Sequence, residues 1–113
     1  MANWKEITTL EEWEQLKANS AEKQTVILKH STRCPVSTSA LEEYDSYLNA
    51  SPNSDTDYYL VKVIEARPAS NQIADDLKVT HASPQIILFK DGKSVWNTSH
   101  WSVTKKHIAA VLD

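Results

Sequence analysis

His30-Ser31-Thr32-Arg33-Cys34-Pro35-Val36-Ser37, entered from Thr25-Val26-Ile27-Leu28, is the stretch that decides the fold. The upstream run is apolar and β-branched and reads as a buried strand, about residues 25–30. Pro35 fits the first position of a helix, where a missing N–H costs nothing. Cys34 therefore lies between a strand end and a helix start. There the unpaired N–H groups and the helix dipole favour a thiolate, the reactive form of cysteine. A lone cysteine in other settings is commonly a small buried apolar residue. The strand–Cys–Pro–helix placement argues for the reactive alternative.

Working outward, Thr9 and Glu12 form a capping-box pair, and Leu10, Trp13 and Leu16 recur at helical spacing, giving a first helix to about Ala18. Ser20 to Gln24 is a polar connector before the strand. The helix after Cys34 places Val36, Ala40, Tyr44 and Leu48 on one face and ends before the loop Ser51-Pro52-Asn53-Ser54. Tyr58 to Ile64 reads as the next strand, and Ala69 to Leu77 as a helix with Ile73 and Leu77 inward. Gln85 to Lys90 is a third strand. Asp91-Gly92, which contains the only glycine of the chain, is a hairpin turn, and Ser94 to Asn97 returns from it. Ser102 is read as the cap of a last helix carrying Val103, His107, Ala110 and Val111.

The predicted order is α-β-α-β-α-β-β-α, an α/β fold. Its two crossover-linked strands are parallel and its closing hairpin antiparallel, giving a four-stranded mixed sheet with helices on both faces. The carboxyl ends of the parallel strands share one edge of such a sheet. Cys34, Ala66-Arg67-Pro68, the start of the third strand at Ser83-Pro84-Gln85, and the end of the fourth at Ser99-His100-Trp101 are all expected there.

Composition bounds the rest. The 113 residues suit a single domain, 1–113, with one core. One cysteine excludes an internal disulfide and a cysteine-rich zinc site, and a free thiol suits a reducing cytosol. His81 and His100 have no second ligand recurring at a metal spacing, so no metal is expected. Met1 to Glu6 carries charge and no apolar core, so no signal peptide is expected, and no run is long enough to span a membrane. Net charge is −3 without a basic stripe, which argues against a nucleic-acid partner.

With these elements placed, the chain resembles a thioredoxin-like protein. More narrowly, Thr32-Arg33-Cys34-Pro35-Val36-Ser37, His81-Ala82-Ser83-Pro84-Gln85 and Ser99-His100-Trp101 resemble the YtxJ-type monothiol bacilliredoxins of low-GC Gram-positive bacteria, over nearly the whole chain. The resemblance implies a glutaredoxin-like activity that serves bacillithiol, a cysteine–glucosamine–malate thiol. Such a protein removes bacillithiol from protein cysteines after oxidative stress. It implies Cys34 as nucleophile and a cis Pro84 that lies against it and presents backbone groups to the substrate disulfide. Bacillithiol would be co-substrate and bacillithiolated proteins the partners, with no tightly bound cofactor.

Ser37 stands where a dithiol thioredoxin has its second cysteine, so no resolving thiol is present. Leu28, six residues before Cys34, replaces the buried acid that assists that second cysteine. Arg33 replaces the usual tryptophan, and a cation there favours thiolate or meets a carboxylate. Arg33 and Arg67 are the candidates to hold the malate carboxylates. Pro35, Ser37, Ser83, Pro84, His100 and Trp101 complete the expected substrate contacts, whereas Trp4, Trp13 and Trp96 read as packing residues. His81 and His100 read more readily as hydrogen-bonded structural residues than as catalysts. Two rivals stay open from sequence: an enzyme for another small thiol, such as glutathione, and a non-catalytic thioredoxin-like module that binds polypeptides.

Overall fold

The computed structural model describes residues 4–50 and 52–112. Met1–Asn3, at the head of the charged N-terminal stretch, Ser51, the first residue of the expected loop, and Asp113 lie outside the described residues. The chain runs β1 (Lys5–Ile7), α1 (Leu10–Asn19), β2 (Gln24–His30), α2 (Pro35–Asn49), β3 (Thr56–Lys62), α3 (Arg67–Leu77), β4 (Gln85–Lys90), β5 (Lys93–Ser99), a 3₁₀ turn (His100–Ser102) and α4 (Lys105–Leu112).

The sheet has five strands, not four, in the order β1-β3-β2-β4-β5. The added strand is β1, parallel to β3 with Glu6 opposite Leu60. Its three residues hold a single apolar side chain, Ile7, too few to show a period. Pairing with β3 makes it a strand. As expected, β2 and β3 are parallel, and β4 runs antiparallel to both β2 and β5.

Alternation along β2 splits the core. Val26 and Leu28 face α2 and α4 with Tyr44, Leu60, Ile86 and Ile108. Ile27 faces α1 and α3 with Ile7, Trp13, Val61, Ile73 and Phe89. Burying each of these large side chains contributes roughly 1.5–3 kcal/mol. Trp13 is anchored at its polar end, where Nε1 donates to Asp76 at 2.9 Å.

Local signals set most boundaries. The capping box of α1 is complete: Thr9 Oγ1 accepts the Glu12 N–H at 3.1 Å, and Glu12 Oε1 accepts the Thr9 N–H at 3.1 Å. The last helix differs from expectation. It starts at Lys105, and Thr104, not Ser102, supplies the capping oxygen, accepting the His107 N–H at 3.1 Å. Ser102 belongs to the 3₁₀ turn, so the buried face shifts to Ile108 and Leu112.

Candidate active site

The strand–helix junction is built around Cys34. Val63 donates its N–H to the His30 carbonyl at 2.9 Å where β2 ends, and Cys34 donates its own to Ser31 at 3.3 Å, closing a tight turn. Cys34 is the N-cap of α2 with extended backbone (φ −115°, ψ 122°), and Pro35 opens the first turn. The Cys34 carbonyl accepts the Thr38 N–H at 3.2 Å, so its backbone is committed to the helix. The thiol makes no capping bond and is half-buried. Its sulfur is thus held at a helix N-terminus, within reach of solvent.

Ser37 lies one turn further into α2 and is fully buried. Its hydroxyl accepts the Ser31 N–H at 3.1 Å and stands 3.5 Å from the Ser83 hydroxyl. The position of a second thiol is therefore filled by a hydroxyl that ties the Cys34 turn to the segment before β4. In that segment the Ser83–Pro84 peptide bond is cis. Pro84 is buried, and its carbonyl accepts the His100 N–H at 2.9 Å. Three of the four expected segments are thereby joined by named hydrogen bonds. His100 has a positive φ of 56°, and its Nδ1 lies 3.0 Å from the Ser99 hydroxyl. Trp101 is 70% exposed, a large indole left on the surface beside these residues.

The fourth segment is tied in by Thr32, whose Oγ1 donates to Glu65 Oε2 at 3.1 Å across the turns after β2 and β3. Arg33 follows Thr32, and Arg67 opens α3 two residues after Glu65. Both arginines are exposed, and neither has an ion pair or side-chain hydrogen bond among the described residues. Glu65 is thus engaged by Thr32 and leaves the Arg67 guanidinium without a carboxylate. The described residues hold no group of three or more His, Cys, Asp or Glu able to bind a metal, and no helix is long and apolar enough to cross a membrane.

Residues 5–108 match the family model described as monothiol bacilliredoxin BrxC. The chain belongs to this family. Among solved structures, it is similar to a thioredoxin-fold protein described as a proposed oxidoreductase, with 29% identity, a TM-score of 0.81, and coverage of 96% of this chain and 93% of the other. The thioredoxin of Fasciola hepatica is 15% identical with a TM-score of 0.75, covering 96% and 95%. Oxidised thioredoxin O2 of Arabidopsis thaliana is 18% identical with a TM-score of 0.76, covering 97% and 91%. These last two speak for the fold alone. Family and fold together make the chain a monothiol thiol–disulfide oxidoreductase with a thioredoxin fold.

This bacilliredoxin also carries two buried titratable groups beside the site, Lys29 and His30. Lys29, five residues before Cys34, is fully buried. Its Nζ donates to the Ser70 carbonyl at 3.1 Å and lies 3.3 Å from His81 Nδ1. No carboxylate among the described residues pairs with it, and burial lowers its pKa to about 8. The signal was its parity with Ile27, which puts it on the α3 face of a strand buried on both sides. Directly opposite Lys29, Gln85 donates Nε2 to the Thr80 carbonyl at 3.0 Å. The two side chains together hold the connector that leads to Ser83 and Pro84.

His30 is the second buried group, on the α2 face. Its Nδ1 is buried without a hydrogen-bond partner among the described residues. Burial lowers its pKa. The Ser37 carbonyl opposes that shift, Lys62 adds to it, and Glu65 and Asp45 oppose it.

Proposed function

We propose that this bacilliredoxin removes bacillithiol from protein mixed disulfides, with Cys34 as nucleophile. The Cys34 thiolate attacks the bacillithiol sulfur of the mixed disulfide in line. The old S–S bond breaks, a new one joins Cys34 to bacillithiol, and the client thiolate leaves and takes up a proton. A second bacillithiol thiolate then attacks the adduct, releasing the Cys34 thiolate and the bacillithiol disulfide. The electron pairs balance within these exchanges, so no bound cofactor enters either step.

The observation that carries this reading is one half-buried thiol at the α2 N-cap, with the buried Ser37 hydroxyl in place of a second thiol. With no internal thiol to compete, the adduct on Cys34 waits for an external one. Arg33 and Arg67, both without carboxylate partners, are assigned to the malate carboxylates. Ser83 and Pro84 would offer backbone groups to the client next to the disulfide, with Pro35, His100 and Trp101 at the rim. Ser37 would act from beneath, by holding Ser31 and Ser83. A working free thiol fits a reducing cytosol.

The decisive experiment modifies one client protein with bacillithiol and, separately, with glutathione, and follows release of each by mass spectrometry. Faster catalytic release of bacillithiol supports the reading. Equal or faster release of glutathione reassigns the small thiol. Adduct formation on Cys34 without turnover makes the protein a binding module.

A further inference from the structure

A groove of about 920 Å³ runs along the α3 side of β5, away from Cys34. Its floor is the β4–β5 ladder, where Gln85 pairs with Ser99 and Ile87 with Asn97. Its other wall is the connector after α3, with Lys78 and His81. Lys93 stands at its far end, beside the hairpin turn. The near end adjoins the site already described, because Gln85 follows Pro84 and Ser99 precedes His100.

Four features of this groove ask for a ligand. Gln85 is only 3% exposed and spends its amide N–H on Thr80, yet its Oε1 is buried with no donor among the described residues. Such an orphan acceptor costs free energy unless a partner arrives. Lys78 and Lys93 are exposed and have no ion pair or side-chain hydrogen bond among the described residues. The acid that lines the groove, Asp76, is already held by Lys17 Nζ at 2.9 Å, Trp13 Nε1 at 2.9 Å and Gln72 Nε2 at 2.7 Å. Finally, His81 Nδ1 faces the buried Lys29 ammonium at 3.3 Å, which makes Nδ1 the acceptor and leaves the proton on Nε2 as a donor. The groove thus offers two cations, a fixed neutral donor and one unpaired carbonyl, with its own carboxylate neutralised.

Length decides what kind of anion fits. At about 3.3 Å per residue, β5 from Lys93 to Ser99 extends about 20 Å. That is too long for a small carboxylate to bridge and suits an extended polypeptide. Such a segment also alternates N–H and C=O groups, and an N–H would satisfy Gln85 Oε1.

We propose that this groove docks an acidic, extended segment of the client polypeptide, running from beside Pro84 toward Lys93. This rests on the reading of Cys34 as an exchange centre for protein substrates. It adds a basis for choosing among clients that the small thiol alone does not supply.

The test uses two peptides carrying the same bacillithiolated cysteine, one flanked by glutamates and one by glutamines. The glutamate peptide should have a KM about fivefold lower, with kcat the same for both, since two exposed ion pairs are each worth little. The Lys78→Gln/Lys93→Gln double variant, checked for folding by circular dichroism, should erase that preference. A preference that survives the double variant, or a KM change equal for both peptides, overturns the proposal.

A second arm uses Cys34→Ala protein and a cysteine-free glutamate peptide, followed by amide NMR. Shifts at Lys93, Asn97 and Ser99 support docking, and their absence overturns it. The same shifts with malonate at matched carboxylate concentration would make the groove a small-anion site and also overturn it. No disulfide is present in this arm, so its result stands whichever thiol Cys34 exchanges.

Discussion

The Ser37 hydroxyl accepts the Ser31 N–H at 3.1 Å, closing the turn that carries Cys34 from within helix α2. The same oxygen lies 3.5 Å from Ser83, so one buried hydroxyl joins the turn to the segment before β4. Removing it in Ser37→Ala should lower stability by about 1 kcal/mol, the typical net worth of one such bond. A shift of the urea midpoint at constant slope checks this, and an unchanged midpoint contradicts it. Ser37→Cys places a thiol one helical turn from Cys34, in the N3 position. Oxidation of that variant should close an intramolecular disulfide and shorten the life of mixed disulfides on Cys34. Two free thiols after oxidation, counted by mass labelling, would show that the turn holds the side chains apart.

Cys34→Ala should abolish thiol exchange and leave the fold in place. The Cys34 side chain makes no capping bond and forms no disulfide, while its backbone bonds survive the substitution. The comparison needs an exchange assay on a bacillithiolated client and a thermal melt. A large fall in melting temperature would give the thiol a structural role that the N-cap geometry does not show.

Lys29 sets an alkaline signature. Burial holds its folded pKa at about 8 against 10.5 for the free side chain. Between those two values the unfolded chain binds the extra proton, so stability rises with pH across that interval. Below about pH 8 both states are protonated and the penalty for the buried charge is fully present. Lys29→Met should remove this rise, because no titrating group remains at the site. Urea unfolding of both proteins from neutral to alkaline pH measures the difference, in which the tyrosines common to both cancel. Parallel curves would mean that Lys29 titrates as if solvated.

The acid side follows from His30 and His81. Burial lowers the pKa of each, with Lys29 and Arg67 adding to the effect at His81. As pH falls below the ordinary histidine value of 6.5, the unfolded chain takes up these protons first, and stability declines. His81→Asn should make that decline shallower. An unchanged acid limb would place His81 in free solvent contact.

How much of this was legible in the sequence depends on whether a residue's role is local. The capping pair Thr9 and Glu12, the Asp91-Gly92 turn and the Cys34–Pro35 helix start are each set by neighbours along the chain, and each could be read directly. Strand β1 could not, because Ile7 becomes a core residue only when β3 is beside it. The start of α4 lies two residues beyond the one that a Ser102 cap implies, because Ser102 and Thr104 are both acceptable caps and the 3₁₀ turn decides between them. At the site, topology sufficed to collect Cys34, Pro84 and His100, whose segments the strands deliver to one edge. Lys29 is not legible in this way, because its importance arises from facing Gln85 across β2 and β4. A lysine in an apolar strand carries no motif, and its partners Ser70 and His81 lie far along the chain.

The arginines give the test of small-thiol selectivity. Thr32 and Glu65 are hydrogen-bonded, and Arg33 and Arg67 flank that link without carboxylates of their own. If they hold the malate carboxylates through charge-assisted bonds, Arg33→Gln and Arg67→Gln should each slow release of bacillithiol by about tenfold, provided the contact persists in the transition state. Release of a neutral adduct such as β-mercaptoethanol should change much less. Raising ionic strength should narrow the gap, because exposed charges are screened. Single-turnover release followed by mass spectrometry separates the cases. Equal slowing of both adducts would show that the arginines act on the sulfur and not on the ligand. Unchanged rates for both would make them surface charges and leave recognition of the small thiol to the backbone beside Pro84.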